Sequence, residues 1–150
     1  EFLAPWDAIR PDVFYTEAGQ AVEVQRMLER EAEGSLAARA ILDDHGLLAG
    51  VVRLNGITRG AFESASLGYW AGERYAGQGY ITAAVRTCVR YAFDDLDLHR
   101  VEAACQPDNI ASRRVLEKAS FTQEGMARAY LRIDGAWRDH ILFGITNPRG

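Results

Sequence analysis

The stretch Tyr69-Trp70-Ala71-Gly72-Glu73-Arg74-Tyr75-Ala76-Gly77-Gln78-Gly79-Tyr80-Ile81-Thr82 runs directly into an apolar-periodic segment over 83–93. It reads as the end of a strand, a glycine loop and the start of a helix. A glycine pair at such a junction lets backbone amides close around an anion, with the positive end of the helix behind them. That predicts a phosphate or pyrophosphate site, and hence a nucleotide-like cofactor. Tight strand-to-helix turns also carry glycines for steric reasons alone. The loop therefore says where a ligand sits without saying which one.

At 150 residues the chain fits one domain with a sizeable core. It is 48% hydrophobic and 25% charged, the balance of an ordinary globular protein. A net charge of −4 argues against direct nucleic-acid binding, which asks for a basic surface. No apolar run reaches the length of a membrane span and no signal peptide is visible, so the expected location is the cytoplasm. Cys88 and Cys105 have no metal-ligand spacing and read as reduced, buried thiols. No metal is expected.

Pro5 and Pro11 keep the first segment from being helical. Thr16 and Glu17 begin a helix to Arg30 with a stripe of Val22, Val24, Met27 and Leu28, and Gly34-Ser35 ends it. Strands are predicted over 38–42 and 47–54, around a turn at Asp43-Asp44-His45-Gly46, and over 64–70 after a turn at residues 59–62. The helix after the glycine loop buries Val85, Val89, Ala92 and Phe93. A strand over 100–105, a short helix over 110–118, strand pieces over 121–125 and 130–133, and a strand over 137–145 complete the order. Asp134-Gly135 is a hairpin turn. Helix, three strands, helix, strand, helix, two strands makes an α/β (α+β) fold with a mixed sheet, not a repeating βαβ dehydrogenase.

Asp108-Asn109-Ile110-Ala111-Ser112 opens the short helix, and Asn109 and Ser112 lie three apart on one side of its first turn. One of Asp108 and Asn109 caps that helix. Strand, Gly-x-Gly loop, helix, strand, Asn-x-x-Ser helix and hairpin together resemble the GNAT acetyltransferase family, over essentially the whole chain. The likeness is strongest to its RimJ/RimL-type members, and to the RimJ branch in particular. Its specific matches are Phe2-Leu3-Ala4-Pro5-Trp6 with Arg10, then Arg59-Gly60-Ala61-Phe62 and Leu67-Gly68-Tyr69. They continue with Leu98-His99-Arg100, Pro107 with Asn109, Tyr130-Leu131, Ile133-Asp134-Gly135 and Trp137-Arg138-Asp139-His140.

The resemblance implies a mostly antiparallel sheet with flanking helices, in which the strand before the loop splays from its neighbour. It implies acetyl-CoA as co-substrate and direct transfer to an amine without an acyl-enzyme. Backbone groups of Tyr69, Trp70 and Ala71 would hold the pantetheine arm and polarise the acetyl carbonyl. Ala76, Gly77, Gln78, Gly79, Tyr80, Ile81 and Thr82 would bind the pyrophosphate. Asn109 would hydrogen-bond the pantetheine side, and Ser112 would sit near the sulfur and help protonate the leaving thiolate. The family loop begins with Gln or Arg, and the expected frame puts Ala76 there and Ile81 in its sixth place. Arg74 opens a shifted Arg-x-x-Gly-x-Gly frame. Family members also carry a first strand and helix before the segment that starts here, so the single domain over 1–150 is expected to be incomplete at its N-terminus.

Glu73 matches an acidic position of RimL-like relatives and is the first candidate for general base; its other reading is a solvated loop carboxylate. Glu102 points into the cleft or toward solvent. His140 carries protons or packs. His45 and His99, at turns, have weaker claims. Tyr130 binds the acceptor or packs. Arg113 or Arg114 reaches a CoA phosphate or stays solvated. The implied activity is transfer of acetyl to the α-amino group of an alanine-type N-terminus, with a small-subunit ribosomal protein as partner. Alternatives are a small amine as acceptor, such as an antibiotic, polyamine or amino acid, and a non-catalytic acyl-CoA-binding or ribosome-associated module. A monomer or homodimer is expected, with no membrane partner.

Overall fold

A computed structural model describes residues 1–149. The chain opens with two short 3-10 turns, Ala4–Trp6 and Asp12–Tyr15, the first of them carrying Pro5 and the second following Pro11. Helix α1, Glu17–Ala32, starts where the Thr16 hydroxyl accepts the amide of Gly19, and Gly34 turns the chain away with a φ of 76°. The expected apolar stripe of α1 is not buried: Val22, Val24 and Leu28 are half exposed. Periodicity marks an amphipathic face; it does not say that anything covers it.

Six strands form one sheet in the order β1-β2-β3-β4-β6-β5. They are β1 Leu36–Leu42, β2 Leu48–Thr58, β3 Ser64–Ala71, β4 Arg100–Cys105, β5 Thr122–Ile133 and β6 Ala136–Thr146. Every adjacent pair is antiparallel except β3 with β4. The mixed, mostly antiparallel sheet is the one expected. Helix α2, Tyr80–Asp94, makes the crossover from β3 to β4, and α3, Ile110–Lys118, follows β4. Two strands run longer than expected. β2 continues through Gly56, whose φ is 57°, by slipping register between Asn55 and Thr58. The pieces at 121–125 and 130–133 are one strand, interrupted between Ala127 and Leu131, where Ala129 takes a φ of 47°.

The core lies under α2 and α3. Val85, Cys88, Val89, Ala92 and Phe93 of α2 and Leu116 of α3 pack on Val52, Leu54, Leu67, Val101, Ala103 and Phe143. Leu54, Leu98 and Leu116 are fully buried, and burial of such a side chain is worth about 1.5–3 kcal/mol each. The strands alternate, so the other face of the sheet carries Arg53, Ser66, Gly68, Trp70, Arg100, Glu102 and Leu142. The N-terminal segment reaches that region: the Asp134 amide donates to the Asp7 carbonyl at 3.0 Å, and Gln106 Nε2 to the Pro5 carbonyl at 2.9 Å.

Candidate active site

Two open features meet at the end of β3. The first is a gap in the sheet. β3 pairs with β4 only at Ser64, Ala65 and Ser66, opposite Arg100, Val101 and Glu102. Beyond them β3 keeps β2 through Ala71, and β4 keeps β6 through Cys105. The facing edges of 67–71 and 103–105 are therefore free of each other. A sheet gives up ladder bonds this way only where its edge groups find other partners. The splay expected from the resemblance is present.

The second feature is the loop. Glu73–Tyr75 is a 3-10 turn, and Gly79 then takes the cap position of α2 with a φ of 87° and no side-chain cap. Gly77 has a φ of 73°. Both angles lie in the left-handed region, where a side chain is strained. The glycines are fourth and sixth counting from Arg74. In the expected frame, counted from Ala76, the sixth residue is Ile81, but Ile81 is the second residue of α2 and packs against the core. The loop's frame thus begins at Arg74. The Arg74 side chain turns away from the loop to the Tyr75 hydroxyl and to Asp43. Gln78 Nε2 donates back to the Arg74 carbonyl at 2.5 Å.

The amides of Gly77, Gly79, Tyr80, Ile81 and Thr82 have no acceptor among the described residues. No acidic side chain occupies the first turn of α2. Five free donors and an uncompensated helix dipole suit an anion with several oxygens.

Tyr69 and Ser112, 43 residues apart, meet in the opening. The Tyr69 hydroxyl lies 2.7 Å from Ser112 Oγ and 3.4 Å from the Ser112 carbonyl. Burial holds the Tyr69 phenol well above its ordinary pKa, against the Ser112 hydrogen bond that favours its ionised form. It stays protonated, and the two hydroxyls share one hydrogen bond in which either can donate. Asn109 is the cap of α3: its Oδ1 accepts the Ser112 amide at 3.0 Å. The cap fixes the first turn that carries Ser112, and Asn109 Nδ2 has no acceptor among the described residues. Cys105 is buried beside Ser112, and desolvation raises its thiol pKa. Cys88 is raised by burial to about 11. Neither is an ionised nucleophile at neutral pH.

Other expected residues are not gathered here. Glu73 is exposed on the 3-10 turn and its carboxylate accepts no hydrogen bond among the described residues. Tyr130 stands on the other face, its ring 5.7 Å from that of His140, beside a cavity of about 130 Å³. Ser66, Arg100, Glu102 and Glu124 also line this cavity. Glu102 is bound by Arg100 Nε at 2.8 Å, so it is not a free base. His140 is buried, with Nδ1 3.0 Å from the Arg138 carbonyl. A carbonyl only accepts, so Nδ1 donates there, and in a neutral imidazole the lone pair is on Nε2. Among the described residues no cluster of three or more His, Cys, Asp or Glu is arranged to hold a metal, and no helix is long and apolar enough to cross a membrane.

One supporting residue escaped the sequence. Asp43 Oδ1 accepts the amides of His45 and Leu47, each at 2.9 Å, and Oδ2 accepts the Tyr75 hydroxyl at 2.8 Å. It ties the β1–β2 turn to the residues just before the glycine loop. The turn was readable; the bond to Tyr75, 32 positions away, had no local signal.

A splayed strand pair, a free amide loop and a hydroxyl pair in the gap define an acyl-transfer fold. The sequence profile of the Acetyltransferase (GNAT) domain matches residues 3–122. The chain is 42% identical to the probable N-acetyltransferase YjcK of Bacillus subtilis, over 99% of this chain and 82% of that protein. It is 32% identical to the [ribosomal protein uS5]-alanine N-acetyltransferase of Escherichia coli, over 98% of this chain and 76% of that protein. Mycobacterium smegmatis RimJ in complex with CoA-disulfide superposes with a TM-score of 0.93 at 32% identity, over 99% of this chain and 72% of that one. The chain belongs to the GNAT acetyltransferase family. Within it the chain is of the RimJ type, and it is an acetyl-transferring enzyme.

Proposed function

We propose that the protein acetylates the α-amino group of an alanine-type protein N-terminus, that of a small-subunit ribosomal protein, with acetyl-CoA as donor. The observation that carries this is the set of five free amides at 77 and 79–82, beside an unpaired strand edge that ends on the Tyr69–Ser112 hydroxyl pair. The likeness to an alanine N-acetyltransferase of a ribosomal protein supports the choice of acceptor.

In this reading the free amides of Gly77, Gly79, Tyr80, Ile81 and Thr82 receive the pyrophosphate, while those of Ala76 and Gln78, taken by the Glu73 and Tyr75 carbonyls, shape the loop. The free edge of Tyr69 to Ala71 pairs with the pantetheine and polarises the thioester carbonyl. Asn109 Nδ2 donates to the pantetheine side. The amine attacks the acetyl carbon directly, the C–S bond breaks, and Ser112 gives its proton to the departing thiolate, regaining one from Tyr69 or solvent. Tyr130 borders the acceptor. A free α-amine has a pKa of about 7.7–8.0, so much of it is neutral just above pH 7 and a weak base suffices. Glu73, directly or through water, takes the proton the amine loses. His140 Nε2 is the second candidate, because the Arg138 carbonyl engages Nδ1 and leaves Nε2 as the basic nitrogen of a neutral imidazole beside Tyr130.

Thiol release from acetyl-CoA tests the proposal against its rivals. A peptide beginning with alanine is expected to turn over faster than an N-blocked lysine peptide, a polyamine or a free amino acid. Faster turnover of a small amine would replace the acceptor. CoA binding without turnover of any acceptor would leave a binding module.

A further inference from the structure

β5 is longer than its ladder with β6 requires. Ala127 pairs with His140 and Leu131 with Arg138, so the three residues 128–130 stand opposite Asp139 alone. An excess of two residues keeps the alternation in step on both sides of the insertion. Ala127 and Leu131 therefore share a face with their partners, His140 and Arg138. In a regular strand Tyr130, next to Leu131, would point to the opposite face. Instead its ring lies 5.7 Å from that of His140, and it lines the cavity of about 130 Å³ with Ser66, Arg100 and Glu102. The insertion is what brings Tyr130 onto the acceptor face, as bulges re-aim side chains elsewhere.

The inserted segment is held in a conformation it would not choose alone. Ala129 has a φ of 47°, in the left-handed region that a residue with a Cβ enters at a cost. Its amide lies outside the ladder and donates to Asp139 Oδ1 at 2.8 Å. Asp139 is thus both the one residue opposite the insertion and the acceptor for the insertion's central amide. Both residues are exposed, so the bond adds modestly to the stability of the whole chain and acts chiefly on local shape.

We propose that Asp139 is a positioning residue for the acceptor: it holds the inserted segment of β5 in the shape that sets Tyr130 beside the acceptor cavity. The inference rests on the proposed reading in which Tyr130 borders the acceptor. Asp139 acts through Tyr130 and takes no part in the proton transfers.

The test is a double-mutant cycle on Asp139 and Tyr130, read by steady-state kinetics with an alanine-starting peptide beside CoA titration and melting. Asp139→Ala is expected to raise KM for the peptide about fivefold, the scale of one misplaced contact, with CoA affinity unchanged. Asp139→Asn keeps an oxygen that accepts the Ala129 amide and should stay close to wild type. Tyr130→Ala raises KM at least as much, and adding Asp139→Ala to it changes nothing further, because the two residues act as one unit. A wild-type KM in Asp139→Ala, or additive effects in the double variant, overturns the proposal. A second readout is independent of turnover. The nuclear Overhauser effect between the Tyr130 and His140 rings is expected in wild type and Asp139→Asn and lost in Asp139→Ala. Its survival in Asp139→Ala also overturns the proposal. If the wild type acetylates no peptide, the proposed function fails on its own, and the ring contact still decides whether Asp139 positions Tyr130.

Discussion

The proton inventory around Ser112 decides what each residue change should do. The Tyr69 hydroxyl and Ser112 Oγ are hydrogen-bonded at 2.7 Å, and Asn109 holds the Ser112 amide at 3.0 Å. Ser112→Ala removes only the hydroxyl and leaves the cap and the cradle intact. We expect kcat to fall by about a hundredfold, the low end for a general acid because a thiol leaves readily, with little change in CoA affinity by titration. Wild-type turnover in that variant would end the general-acid role. Glu73 is a sharper question, since it is exposed and has no side-chain partner among the described residues. Glu73→Gln should lower the rate most at low pH, where the acceptor amine is protonated and help in removing its proton counts most. An unchanged pH–rate profile removes Glu73, and His140→Gln becomes the next variant. Nothing in the sequence could choose between the two. Alternation says which face a residue takes, whereas a free lone pair depends on a carbonyl two residues away.

At the scale of elements, the loop and its anchor make separable predictions. Gly79 caps α2 at a φ of 87° with open space around it, so a side chain there is excluded by backbone conformation, not by collision. A β-branched residue at that angle costs about 1–2 kcal/mol or more. Gly79→Val should relax to a negative φ, turn its amide away and weaken CoA binding by about tenfold or more. Unaltered affinity would mean that the loop is only a turn. Asp43 works from the other side. Its carboxylate is held below its ordinary pKa of 3.8, first by the Leu47 amide and then by the Tyr75 hydroxyl. A depressed pKa means stability that is present above 3.8 and is lost as pH falls through the lower folded value. Asp43→Asn should therefore melt below wild type near neutrality, and the gap should close as pH drops under 3.8. A constant gap would show that charge is not what Asp43 contributes. The loop was legible because its signal is local: two glycines, then a helical period. The two-piece reading of β5 failed for an equally local reason, since the irregularity around Ala129 breaks the alternation that marks a strand.

Across the whole molecule, the proposed function has the sheet separate donor from acceptor. The free amides and Ser112 belong to the face under α2 and α3, whereas Arg53, Glu102 and Tyr130 belong to the other. Element order was readable from period and turn residues, and so was the Asp134-Gly135 hairpin. The meeting of Tyr69 with Ser112, and of the N-terminal segment with the hairpin, was not, because each joins residues from distant parts of the chain through topology alone. The second meeting offers a way to disturb one half of the site without the other. Gly135 has a φ of 75°, and a Cβ there would come within 3.1 Å of Ile9 Cδ1. One residue earlier, the Asp134 amide holds the Asp7 carbonyl, and Asp7 in turn holds Arg10. Gly135→Val strains the turn and pushes on Ile9, so the segment that carries Arg10 must shift. The cradle at 77–82 lies on the opposite face and has no bond to this hairpin among the described residues. The expected result is a raised KM for the acceptor peptide with CoA affinity unchanged, read by steady-state kinetics beside CoA titration. If CoA affinity falls in step with KM, the two halves are coupled through the sheet, and the division of labour between its faces is wrong.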